Sequence, residues 1–290
     1  MGVAGSLPGP GDARADRAGS GDASVISLRD AALSYGDRVL WRGLNLDVAP
    51  GEFLAVLGPN GSGKTSLLRV LLGLQPLTAG TVTINGTPPR RGSDLIGYIP
   101  QHKSIAPYTP LRARDLVRFG IDGHRWGWRP PKAGTRHHVQ DILRSVGAEA
   151  YADVPLGLLS GGEQQRVRIA QALATDPRIL LCDEPLLTLD LNHQRAVTAL
   201  LDRRRRSHGT AVVFVTHEIN PILGLVDRVL YLAGGRFRTG TPQQVMTSPV
   251  LSDLYGTPVE VIHAHGRLVI VGAPEQAAHH EHDDHREPRP

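Results

Sequence analysis

The stretch Gly58-Pro59-Asn60-Gly61-Ser62-Gly63-Lys64-Thr65 constrains this chain more than any other, because it fills every fixed position of the phosphate-loop pattern. Such a loop needs a strand before it and a helix after it. The apolar run Phe53–Leu57 precedes it, and the leucine-rich residues 67–74 that follow predict a helix. Glycines let successive backbone N–H groups curl around phosphate oxygens, and the helix presents its positive end. Lys64 supplies a point charge and Thr65 offers a hydroxyl to Mg²⁺. Lys64 is one of only three lysines among 32 Lys and Arg residues, so background usage does not account for it.

Apolar periodicity predicts further strands over residues 25–33, 39–48, 81–84 and 95–99, and helices over 113–119 and 139–146. It then predicts a helix over 163–174, a strand over 179–182, a helix over 194–206 and a strand over 212–215. Strands alternating with helices describe an α/β fold built on a parallel sheet. Later strands are expected over 228–233, 259–263 and 268–271, with short helices about 242–247 and 250–255. Residues 121–136 carry little pattern, and no internal repeat is visible. Four consecutive arginines, 203–206, read as a solvated last helical turn, where cations complement the helix dipole.

At 290 residues the chain has room for one large domain. Residues 1–24, mostly Gly, Ala, Ser, Pro, Asp and Arg, lack the apolar surface to offset ordering entropy and are expected as a disordered tail. The net charge of +4 invites a nucleic-acid reading, but the basic residues are dispersed and aromatics are 4%, so no nucleic-acid partner is expected. No apolar run approaches the roughly 18–20 residues that cross a bilayer, so a membrane role has to come through a partner. A single cysteine, Cys182, excludes an intrachain disulfide framework, and no leader-like segment opens the chain; a reducing cytosolic compartment is expected.

Ile179-Leu180-Leu181-Cys182-Asp183-Glu184 is an apolar strand ending in two adjacent carboxylates. At the carboxyl end of a sheet strand Asp183 would meet the Mg²⁺ held by Thr65, and Glu184 could orient or deprotonate an attacking water. Cys182 sits inside the strand as core filler. Between the two motifs, Leu159-Ser160-Gly161-Gly162-Glu163-Gln164-Gln165-Arg166 sets a serine and two glycines at a helix start. That is an anion site suited to a γ-phosphate presented from outside the subunit, and Ser160 with Glu163 also matches a capping box.

With this third stretch the chain resembles the ATP-binding cassette (ABC) ATPases, over about residues 25–272. The resemblance implies a phosphate-loop NTPase with a RecA-like core, an antiparallel β subdomain and a helical signature subdomain at about 102–175. It implies ATP and Mg²⁺ as cofactors. Gly58, Pro59, Asn60, Gly61, Ser62, Gly63, Lys64, Thr65 and Ser66 then surround the phosphates, and Tyr35 resembles the aromatic that stacks on adenine. Gln101, in Tyr98-Ile99-Pro100-Gln101, resembles the glutamine that reaches Mg²⁺ and water, so that Thr65, Gln101 and Asp183 form the metal set. His217, in Val215-Thr216-His217-Glu218, resembles the switch histidine at the γ-phosphate, completing a catalytic group with Glu184 and Gln101. Ser160, Gly161, Gly162 and Glu163 would face a partner's nucleotide. Asp190 resembles the aspartate at the contact between two cassettes, although Leu187-Thr188-Leu189-Asp190 keeps only the Leu-Asp pair of the commoner Ser-Ala-Leu-Asp form.

In this family two ATPs lie between two cassettes, so one copy per chain implies a homodimer. The chain resembles the separate ATPase subunit of a bacterial-type importer, at the cytoplasmic face of the membrane, bound to an integral membrane permease and served indirectly by an extracytoplasmic substrate-binding protein. Residues 216–221, 226–232 and 254–261 resemble the zinc, manganese and iron branch. An importer of siderophore or cobalamin type, and a soluble ABC ATPase without transport, are the alternatives. Residues 273–290 are expected as a second disordered tail, in which residues 279–285 are all His, Asp or Glu, with four histidines. Such a run either binds Zn²⁺ or Ni²⁺ transiently or is a solvated extension.

Overall fold

A computed structural model describes residues 24–101, 106, 108–123, 133–187 and 189–272. The expected tails, save Ser24, and residues 124–132 of the pattern-poor stretch lie outside the described residues. Strands β1 (Ile26–Tyr35) and β2 (Arg38–Val48) pair antiparallel, and β4 (Ala79–Ile84) pairs with the other side of β1. The main sheet runs β5-β6-β7-β3-β8-β9, built from β3 (Phe53–Leu57), β5 (Ile96–Ile99), β6 (Ile179–Asp183), β7 (Ala211–Val215), β8 (Arg228–Ala233) and β9 (Arg236–Gly240). Its strands are parallel except at the β8–β9 edge. β3, β6 and β7 are buried along their whole length, which unbroken apolar runs allow only in strands covered on both faces.

Side chains alternate across that sheet and supply two cores. Phe53, Ala55 and Leu57 of β3 enter one core with residues of α2 (Ala113–Asp122), α3 (Ala133–Ser145), α4 (Gly161–Leu173) and α5 (Leu191–His208). Phe53 meets Phe214 there, with ring centroids 5.6 Å apart. Leu54 and Val56 enter the other, with α1 (Lys64–Leu71) and the antiparallel sheet. Each such aliphatic side chain stabilises the fold by about 1.5–3 kcal/mol relative to exposure. After α6 (Pro242–Val245) and α7 (Ser248–Tyr255), the hairpin of β10 (Glu260–Ala264) and β11 (Arg267–Val271) packs Val261, Leu268 and Ile270 against the first core. Among the described residues no helix is long and apolar enough to cross a membrane.

Several elements differ from the sequence expectation: α3 begins at Ala133 rather than 139, inside the stretch with little pattern, and α5 begins at Leu191 rather than 194. α1 begins at Lys64 rather than 67, because Gly63 at φ 100° turns the loop directly into the helix, and it ends at Leu71, before Gly73 at φ 68°. β9 was not expected, since its residues are mostly exposed and two are arginines. A charged antiparallel edge of this kind blocks pairing with other sheets. The arginine run does end α5 as expected, with Arg203 and Arg206 exposed, but the two residues between them are engaged. Arg204 and Arg205 are each only 12% exposed, Arg204 pairing with Asp176 and Arg205 with Asp202 at 3.0 Å and Asp227 at 2.6 Å.

Candidate functional site

Parallel strands carry their carboxyl ends to one edge of a sheet, and here the edge gathers the phosphate loop after β3, Glu184 after β6 and His217 after β7. Gly58 leaves β3 at φ 139°, where a Cβ would stand 2.0 Å from the Leu232 carbonyl oxygen, so glycine alone fits. Gly63 rests on Trp41, whose indole Nε1 would be 3.0 Å from a Cβ there. That Nε1 and the Ser62 Oγ are buried with no hydrogen-bond partner among the described residues. Arg38 supports the tip of the loop, donating from Nη2 to the Gly61 carbonyl at 2.9 Å.

Lys64 is buried, and its Nζ donates to the carbonyls of Gly58 at 2.7 Å and Pro59 at 2.9 Å. Burial pulls its pKa down from the ordinary lysine value, against the opposing pull of Glu184 and Asp183. Thr65 Oγ1 donates to Asp183 Oδ1 at 3.3 Å. Burial pushes the Asp183 carboxyl above its ordinary value, with the Glu184 charge adding to the push and the Thr65 bond opposing it. Tyr98 also bonds Asp183; burial pushes its phenol up to about 12, so it stays a donor at neutral pH. A hydroxyl and a buried carboxylate are hard oxygen donors, and that donor set fits Mg²⁺. Among the described residues no three His, Cys, Asp or Glu side chains cluster to hold a metal by themselves.

Glu184 sits in the left-handed region at φ 47°, with its N–H donated to the Val215 carbonyl at 3.0 Å. Its Oε2 accepts from Gln101 Nε2 at 3.4 Å and lies 3.6 Å from His217 Nδ1. Thr216 Oγ1 folds the turn after β7, donating to the Glu218 carbonyl at 3.0 Å and accepting the Glu218 N–H at 3.1 Å. Tyr35, 49% exposed, stands on the cleft wall with its hydroxyl donated to Gln75 Oε1 at 2.6 Å and 3.4 Å from Ser66 Oγ. The cleft is also lined by Tyr231 and Tyr255, whose hydroxyls are 2.8 Å apart, and by Ile270, Val271 and Gly272 of the terminal hairpin.

The sequence expectation therefore meets a single cleft for Tyr35, Ser66, Gln101, Glu184, His217 and the phosphate loop except Ser62, whose Oγ is buried, with Asp183 reached through Thr65. Ser160, Gly161, Gly162, Glu163 and Asp190 do not line it. Ser160 caps α4, with its N–H and Oγ each 2.8 Å from Glu163 Oε2 and its Oγ accepting the Glu163 N–H at 3.4 Å. Asp190 caps α5, accepting the N–H groups of Asn192 and His193 at 2.9 Å each. His193, not singled out in the sequence, joins the two: its Nδ1 is 2.7 Å from Asp190 Oδ2, and its ring occupies the space where a Cβ on Gly162 would come within 2.0 Å. Tyr98 and Arg38 were also missed, although each lies three residues from a residue that was not, Gln101 and Tyr35.

Residues 41–187 match the family model described as ABC transporter. The chain is 34% identical over 237 residues to the zinc import ATP-binding protein ZnuC of Halorhodospira halophila, covering 81% of this chain and 85% of that protein. It is also 34% identical over 228 residues to the sulfate/thiosulfate import ATP-binding protein CysA of Methylococcus capsulatus, covering 77% of this chain and 65% of that one. Among solved structures, a chain of an ABC transporter described as of metal-chelate type, in an inward-facing conformation, superposes with a TM-score of 0.72 at 28% identity, covering 85% of this chain and 96% of the other.

Proposed function

Since this chain belongs to the ABC transporter family of ATP-hydrolysing subunits, we propose that it energises import of a divalent transition metal, zinc before manganese or iron, through a separate membrane permease. ATP hydrolysis that drives transport is the activity of the family. The observation that carries the reading to these residues is the convergence of Lys64, the Thr65–Asp183 pair and Glu184 with Gln101 and His217 in one cleft. The metal cargo is supported by the zinc-import relative and the metal-chelate structure, with the sulfate importer as the competing reading.

In this reading the backbone N–H groups of residues 60–65 wrap the phosphates and Lys64 exchanges the carbonyls of Gly58 and Pro59 for β- and γ-phosphate oxygens. Tyr35 stacks on the adenine with its half-exposed ring. Thr65, Asp183 and Gln101 would hold Mg²⁺, which would neutralise phosphate charge. Glu184 accepts a proton from water as the water oxygen bonds the γ-phosphorus and the bond to the bridging β-oxygen breaks, leaving ADP and phosphate. Gln101 and His217, both beside Glu184 Oε2, hold the water and the γ-phosphate in line. The signature serine and glycines lie outside the cleft, so they serve the nucleotide of a second copy, and the active unit is a homodimer on the cytoplasmic face of the permease.

Cells carrying the chain with its permease test both halves. Glu184→Gln should keep ATP binding, lower hydrolysis by about 10²–10⁴-fold and abolish uptake of radioactive zinc while leaving sulfate uptake intact. Loss of sulfate uptake with zinc uptake unchanged would transfer the cargo to the competing reading, and hydrolysis at the wild-type rate would remove Glu184 from the chemistry.

A further inference from the structure

Asn220 stands three residues beyond His217, on the segment leaving β7, and its whole amide engages one residue of β11. Its Nδ2 donates to the Leu268 carbonyl at 2.9 Å, and its Oδ1 accepts the Leu268 N–H at 2.8 Å. A donor and an acceptor of one group meeting the C=O and N–H of one backbone residue copy the exchange between paired strands, so the side chain acts as a strand edge would. Ile219 and Ile222 on one side and Leu268 on the other are buried around the half-buried tie. Beyond Leu268, Ile270, Val271 and Gly272 wall the nucleotide cleft; before Asn220, His217 stands 3.6 Å from Glu184. One amide thus joins the histidine's segment to the hairpin that lines the same cleft.

Besides the core packing of Val261, Leu268 and Ile270, the hairpin's other side-chain hydrogen bonds among the described residues lie elsewhere. Ser248 Oγ accepts the Val261 N–H at 2.8 Å, while Ser252 Oγ accepts the Val259 N–H at 2.9 Å and donates to the Val259 carbonyl at 3.1 Å, tying the approach to β10 and its start to α7. Without Asn220 the hairpin stays docked through α7, and the segment carrying His217 loses its tether to it.

We propose that Asn220 is a positioning residue for hydrolysis: it locks β11 to the segment after β7, so that His217 and the hairpin rim of the cleft move as one body. The inference rests on reading the cleft as the ATP site. In the full chain, Asn220→Ala should lower kcat about tenfold while the affinity for Mg-ADP stays within about twofold, because the phosphate loop and Tyr35 are untouched. Asn220→Ser, which retains one hydrogen-bonding group and the fold, should lie between the two. Ser248→Ala removes a hairpin bond that does not reach His217, and kcat should hold within about twofold. A kcat near wild type in both Asn220 variants, or equal losses in the Asn220 and Ser248 variants, overturns the proposal. Lys64→Ala tests the premise separately: undiminished Mg-ADP affinity in that variant would remove the ATP site from this cleft, whatever Asn220 does.

Discussion

Asp183 is a carboxylate kept inside the protein, with the Thr65 hydroxyl, the Tyr98 phenol and the Lys64 ammonium around it. Its pKa is raised above the ordinary 3.8, so in the window above that value the folded chain holds a proton that the unfolded chain has released. Stability contributed by this group therefore falls as pH rises through the window. Asp183→Asn keeps the shape without the charge, and the nucleotide-free variant should melt above the wild type at neutral pH, with the gap closing towards acid, while hydrolysis is lost. Melting curves across pH with an ATPase assay check both; a variant less stable than the wild type at neutral pH would contradict the sign. A site that is costly when empty is the usual trade of stability for function. At this scale the sequence was informative wherever a residue's chemistry depends on its immediate neighbours, as in Lys64 and Thr65. It was silent on Tyr98 and His193, whose roles arise from pairing across strands and helices that no local pattern records.

At the scale of elements, α4 and α5 are fitted to each other through one glycine. A Cβ on Gly162 would strike the His193 ring, which ends a partly exposed side chain and has to turn aside, so Gly162→Ala should destabilise the fold by no more than about 1 kcal/mol. Adding His193→Ala should recover much of that loss, a coupling that denaturant titration of the two single variants and the double variant would measure. Strict additivity would mean the ring moves aside freely. The strands legible from sequence are those buried on both faces, such as β3 and β8, whose limits agree with the apolar runs that announced them. β9 was illegible because its side chains face solvent, yet its start was written in Gly234-Gly235, both at positive φ, a two-residue hairpin turn. In the arginine run the helix end was legible and the engagement of its two middle residues was not. Its partners Asp176 and Asp227 come from other parts of the chain, and only the fold brings them to Arg204 and Arg205.

For the molecule as a whole, on the proposed reading, a cleft that gathers the hydrolytic side chains while the signature residues lie outside it is half of a working unit. A Glu184→Gln chain should pass from monomer to dimer when ATP is added, as light scattering would record. Ser160→Arg in the same background should remain a monomer, since the added cation and lost cap fall on the surface offered to the partner's nucleotide. A monomer under both conditions would separate this chain from the two-cassette arrangement. The terminal hairpin gives the cleft an unforeseen rim. Its strands were expected from sequence, but their place beside the phosphate loop follows from Val261, Leu268 and Ile270 packing on the core and from the Asn220 tie. There is a practical side to that rim. Cys182 is the chain's one thiol, and it is fully buried with its pKa raised by that burial. Val271 is 47% exposed on the cleft wall. A Val271→Cys chain would carry a single reactive sulfur at the mouth of the nucleotide cleft, so a fluorophore could be attached there without first stripping the protein of competing cysteines, turning the hairpin into an optical gauge of nucleotide occupancy.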